Sequence, residues 1–109
     1  MDILGYAKAK IEGKAGMVKH GVSTILVTIN GKDFGYQPQD IDAAIRALTD
    51  STVDRESKAT DAAVDAADSG EPTLALAAQD TLDAARKAKA DAAAACAVVA
   101  ADAGKALGK

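Results

Sequence analysis

The sequence predicts an α+β chain that is mostly α. A small head of N-terminal helix, β-hairpin and short helix spans residues 1–50, and two Ala-rich helices over residues 51–109 form an antiparallel, coiled-coil-like hairpin. Three observations lead to this reading. Seventeen of the 25 larger apolar side chains (Val, Ile, Leu, Met, Phe, Tyr) precede residue 51, while most alanines follow residue 58. The β-branched residues concentrate between Val22 and Ile29, directly before Asn30-Gly31. Formal charge runs in blocks of +2 over residues 1–38, −8 over 39–83 and +3 over 84–109. Because a buried methyl removes little area from water, the head is the place where a core can form.

Residues 2–18 put Leu4, Ala7, Ile11 and Val18 near one helical face, with Lys8, Lys10 and Lys14 elsewhere. Gly5, Gly13 and Gly16 each cost a helix up to about 1 kcal/mol relative to alanine. A helix that frays or breaks near Gly13 is expected.

Residues 22–37 carry the clearest local signal. Asn30-Gly31 is the preferred two-residue type I′ turn, and folding about it sets Val27 opposite Phe34 and Ile25 opposite Tyr36. Alternation places these four residues and Ile29 on one face, so turn and pattern agree on register. A two-stranded ribbon needs its apolar face covered. Ile41, Ile45 and Leu48 supply a cover from the next helix, whose expected N-cap is Asp40 just after Pro38.

Thr49-Asp50-Ser51-Thr52 has poor helix propensity, and Ser51 with Asp54 can cap a new helix, so a break is expected there. Beyond it, Val53, Ser57, Thr60, Val64 and Ala67 follow the 4-3-4-3 spacing of a narrow seam. Asp54, Asp61, Asp65 and Asp68 form an acidic stripe beside that seam. Ser69-Gly70-Glu71-Pro72 ends the helix, and Pro72 suits the first turn of the next. The last helix is expected over about residues 72–103, with Leu74, Ala78, Leu82, Ala85, Ala92, Cys96 and Val99 on one side. Antiparallel packing of the two helices would bring Asp54 and Glu56 near Arg86, Lys87 and Lys89.

The chain offers little material for catalysis. Ile11 to Val18, with its Gly13-Lys-Ala-Gly16 core, resembles the helix–GxxG–helix element of KH nucleic-acid-binding domains. That resemblance implies a grip on a phosphate backbone; read on their own, the two glycines imply a bend or a close helix contact. A pI near 5.0 argues against nucleic-acid binding. His20 has no cysteine or second histidine with which to share a metal. Cys96, the single cysteine, is flanked by Ala and Val, which suits a structural thiol and a reducing interior. No catalytic, cofactor-binding or metal-ligating residues are expected.

Asp2 and Gly5 stand where a signal peptide needs basic and then apolar residues, and the apolar run Ala92–Ala101 is too short to cross a bilayer. The expectation is a non-secreted protein, cytoplasmic or in a virion, without a membrane span. Its partner is expected to be itself or another protein. The candidate contacts are Val53, Val64, Leu74, Leu82, Ala85, Ala92 and Val99 on the seams, the aspartates at 54, 61, 65 and 68, and Phe34 and Tyr36 on the hairpin. A small non-enzymatic assembly protein fits this plan, for example a homo-oligomeric bacteriophage virion or tail component. The alternative is an acidic inhibitor or antitoxin-like binder, occupying a basic groove on a nucleic-acid-processing enzyme.

Overall fold

The computed structural model describes residues 1–108. Along the chain come α1 (Ile3–Ile11), β1 (Ala15–His20), β2 (Thr24–Ile29), β3 (Lys32–Tyr36), α2 (Pro38–Asp68) and α3 (Pro72–Ala106). The molecule measures 60 × 25 × 20 Å, because the paired long helices extend well past the sheet.

Helix α1 starts at Asp2, whose carboxylate accepts the Gly5 N–H at 2.9 Å. It ends in a Schellman motif: Lys14 N–H reaches the Ala9 carbonyl at 2.8 Å and Gly13 N–H the Lys10 carbonyl at 3.0 Å. Gly13 takes φ +74°, which a side chain disfavours. The helix therefore stops before residue 18. Its buried face is Ile3, Tyr6 and Ala9, while Leu4 and Ile11 of the expected face point outward.

Residues 15–18, the far end of the expected helix, instead lie in a third strand. β1 pairs antiparallel with β2, Met17 opposite Val27, and completes a sheet of order β1-β2-β3. The hairpin has the predicted register, Val27 opposite Phe34 and Ile25 opposite Tyr36. Asn30 and Gly31 both adopt positive φ, as a type I′ turn requires.

Ile25 and Val27 on the inner face of the sheet are fully buried, packed with Ile3, Tyr6, Ile41, Ala95, Cys96 and Val99. Ile45 and Leu48 border this core. The cover over the sheet is α1 together with α3, however, and α2 lies chiefly against α3. The head is thus completed by residues more than 50 positions downstream of the hairpin.

Helix α2 runs unbroken from Pro38 to Asp68, so no new helix begins at residue 51 and the expected division at residue 50 falls inside it. The hydroxyls of Thr49 and Thr52 bond the carbonyls of Ile45 and Leu48, at 2.8 and 3.0 Å, without interrupting the helix. Packing on α3 along this length outweighs weak propensity. The N-cap is Gln37 and not Asp40; Asp40 sits one turn in and accepts the Gln37 N–H at 3.1 Å.

Helices α2 and α3 form the expected antiparallel pair, but the seam on α2 is shifted. Thr52, Glu56, Ala59, Ala63 and Ala66 face inward, whereas Val53, Ser57, Thr60, Val64 and Ala67 are exposed. One residue is a rotation of about 100°. Ala59, Ala63 and Ala66 on the distal part of this seam leave little bulk between the axes, which larger side chains there would force apart. On α3 the expected side is correct from Ala78 onward, and only Leu74 lies outside, 51% exposed.

Candidate interaction surfaces

The expected contact residues divide into two sets. Leu82, Ala85, Ala92 and Val99 are buried within the chain, where they hold α3 to α2 and to the head. Val53, Val64 and Leu74 are 46%, 54% and 51% exposed, and Leu76, two residues after Leu74, is 69% exposed. The buried core of the distal arm is only Ala59, Leu82 and Ala85, flanked by Ala63.

The aspartates lie on the outward face of α2. Asp54 pairs with Lys58 on its own helix at 2.9 Å. Asp61, Asp65 and Asp68 take part in no ion pair among the described residues. Of the contacts expected between the arms, Glu56 to Lys89 forms, at 3.4 Å.

Phe34 and Tyr36 lie on the edge strand β3, their rings stacked with centroids 6.2 Å apart. Phe34 is exposed and Tyr36 half-buried. A trough of about 340 Å³ runs beside them, floored by Ile29 and rimmed by Asp2, Asn30 and Lys32.

One polar cluster escaped sequence reasoning. Tyr6 donates its hydroxyl to Asp102 at 2.5 Å, and the Lys10 ammonium lies 2.7 Å from the same carboxylate oxygen. Burial pushes the Tyr6 phenol far above its usual range, and the hydrogen bond to Asp102 and its negative charge add to the effect. Burial by itself would raise Asp102. Hydrogen bonds from Lys10 and Tyr6, with the charges of Lys10 and Lys105, outweigh it and hold the carboxyl below the usual range. The cluster fastens the end of α3 to α1. The available signal was Asp102 itself, a lone acid closing the apolar run of α3.

The helix–GxxG–helix likeness is not realised. Gly13 terminates α1 and Gly16 lies in β1, so no second helix follows the loop. With the β2–β3 turn the two glycines line an open depression of about 740 Å³, where Lys14 is the one cationic side chain. His20 is exposed at the end of β1, and the buried Cys96 thiol lies 4.0 Å from the Ile45 carbonyl. Among the described residues no group of three or more His, Cys, Asp or Glu could hold a metal ion, and no helix is long and apolar enough to cross a membrane. No protein-family model, no curated protein and no solved structure matches the chain.

Proposed function

We propose that this chain is a small non-enzymatic assembly protein that acts through protein–protein contacts and associates with copies of itself. The supporting observation is the distal arm, where Val53, Val64, Leu74 and Leu76 are exposed around a core of three buried residues. Scattered apolar residues are ordinary on a surface, but a two-helix arm with so little buried bulk gains most by covering them. A structural part of a bacteriophage virion or tail is a setting this plan suits. Gel filtration with light scattering tests the proposal. The wild-type chain is expected to run as an oligomer, and Val64→Glu with Leu76→Glu to lower its mass. A wild-type chain that stays monomeric at every concentration overturns the reading.

The acidic-binder reading draws support from Asp61, Asp65 and Asp68, which stand on one outward face without an ion-pair partner among the described residues. Ionic strength separates the two. An aspartate-mediated contact weakens steeply as salt rises, while an apolar arm contact hardly responds.

A further inference from the structure

We infer that β3 is a self-complementary edge that pairs antiparallel with β3 of a second copy, about a two-fold axis at Phe34, joining the two sheets into one. The inference rests on the assembly reading and names one of its contacts.

The edge is open. β3 is the outer strand of the sheet, its main neighbour is β2, and Lys32, Asp33, Phe34 and Gly35 are all exposed. In a two-residue hairpin the residues flanking the turn, here Ile29 and Lys32, form a hydrogen-bonded pair, and bonded and non-bonded pairs then alternate. Asp33 and Gly35 therefore direct their N–H and C=O groups away from β2. No turn, loop or cap hydrogen bond of the described residues takes these groups up. Neither a bulge nor a proline interrupts the strand, although both are common means of protecting an edge.

The sequence of β3 selects its own partner and register. With Phe34 opposite Phe34 of the second copy, Asp33 lies opposite Gly35 of that copy, and each such pair can exchange both backbone hydrogen bonds. The two phenylalanines then meet at a non-bonded pair, where side chains approach most closely, and both lie on the inner face beside the trough. Lys32 falls opposite Tyr36, an ammonium beside an aromatic ring, at both ends of the overlap. All of β3 from Lys32 to Tyr36 is used. Sliding one way sets Asp33 against Asp33, two like charges in contact. Sliding the other way requires Asp33 to exchange hydrogen bonds with Gln37, whose N–H is already donated to the Asp40 carboxylate and whose carbonyl already accepts the Asp40 and Ile41 N–H groups at the start of α2. A five-residue edge buries less than a standard interface, so the pairing is weak by itself and dependent on concentration.

The test is sedimentation velocity over a micromolar-to-millimolar series for the wild type, Phe34→Lys and Gly35→Pro, with circular dichroism to verify folding. Both variants are expected to weaken self-association about tenfold or more, which corresponds to roughly 1.4 kcal/mol. Phe34→Cys in a Cys96→Ala background should give a disulfide-linked dimer on mild oxidation, since facing residues of a non-bonded pair lie within disulfide reach. Val64→Cys in the same background is the control for random collision. An oligomer indifferent to Phe34 and Gly35, or no more cross-linking at Phe34→Cys than at the control, overturns the edge pairing and leaves the assembly reading standing. A chain that is monomeric throughout overturns both.

Discussion

Tyr6 and Asp102, 96 positions apart, share a hydrogen bond of 2.5 Å that ties the first helix of the chain to the end of its last. Lys10, one turn beyond Tyr6 on α1, holds the same carboxylate at 2.7 Å. Tyr6 is wholly buried and Asp102 half-buried, and the three groups satisfy one another. The head is closed by this polar clasp as well as by apolar packing, because the residues that complete its core lie on α3.

Tyr6→Phe keeps the ring and removes the donor. The loss is expected to be about 1–2 kcal/mol, the usual effect of deleting a hydrogen bond to a charged, half-desolvated acceptor. Urea unfolding should show a lower midpoint with an unchanged slope. No change in midpoint would mean that the clasp carries no net stability.

The same cluster sets the pH dependence of stability. Asp102 is held below its unfolded value, so its contribution is complete above the ordinary carboxylate range and disappears as pH falls through the folded value. Tyr6 is held above its unfolded value, so its contribution is complete below about pH 10 and is lost as pH rises through the folded value. Urea midpoints measured against pH should therefore show that Asp102→Asn loses most near neutrality and converges on the wild type in acid. Tyr6→Phe should converge on it in strong alkali. Curves that stay parallel across the whole range would exclude this linkage.

The shifted seam makes its own prediction. Ala59 and Ala85 face each other's helices and are almost wholly buried, so Ala59→Leu or Ala85→Leu overpacks a close contact and should cost about 1–3 kcal/mol. Val53→Ala and Val64→Ala alter exposed side chains, and in the monomer should stay within about 0.5 kcal/mol. Thermal melts at low protein concentration distinguish the two. The reverse order of effects would restore the seam that spacing alone predicts.

These elements show what was legible in the sequence. The hairpin was readable to the residue because Asn30-Gly31 and the alternation of Ile25, Val27 and Ile29 make the same demand locally. The antiparallel arms were readable because Gly70 and Pro72 punctuate a long alanine-rich stretch with opposed charge blocks. β1 was not, since Ala15 to His20 holds one β-branched residue, Val18, and becomes a strand only because β2 offers it a free edge. Nor was the seam of α2, where spacing favoured Val53 and Val64 for their bulk while close helix approach favours alanine. Of the candidate contact residues, Leu82, Ala85, Ala92 and Val99 were legible as a packing face but not as one satisfied within the chain. The clasp of Tyr6 and Asp102 depends wholly on tertiary placement, which no local pattern encodes.

The start of α1 allows a sharper test through a double-mutant cycle. A Cβ at Gly5 would lie 2.1 Å from an Asp2 carboxylate oxygen, the group that caps the helix at the Gly5 N–H. Asp2→Ala alone removes the cap and should cost about 1 kcal/mol. Gly5→Ala forces the carboxylate aside and loses the same cap, but it gains up to about 1 kcal/mol of helix propensity, so the two effects nearly cancel. Once Asp2 is alanine there is no cap left to displace, and Gly5→Ala should then stabilise by its full propensity gain. The cycle should therefore show a coupling of about 1 kcal/mol between the two positions. Strict additivity in urea unfolding would mean that the Asp2 carboxylate does not hold the Gly5 amide in solution.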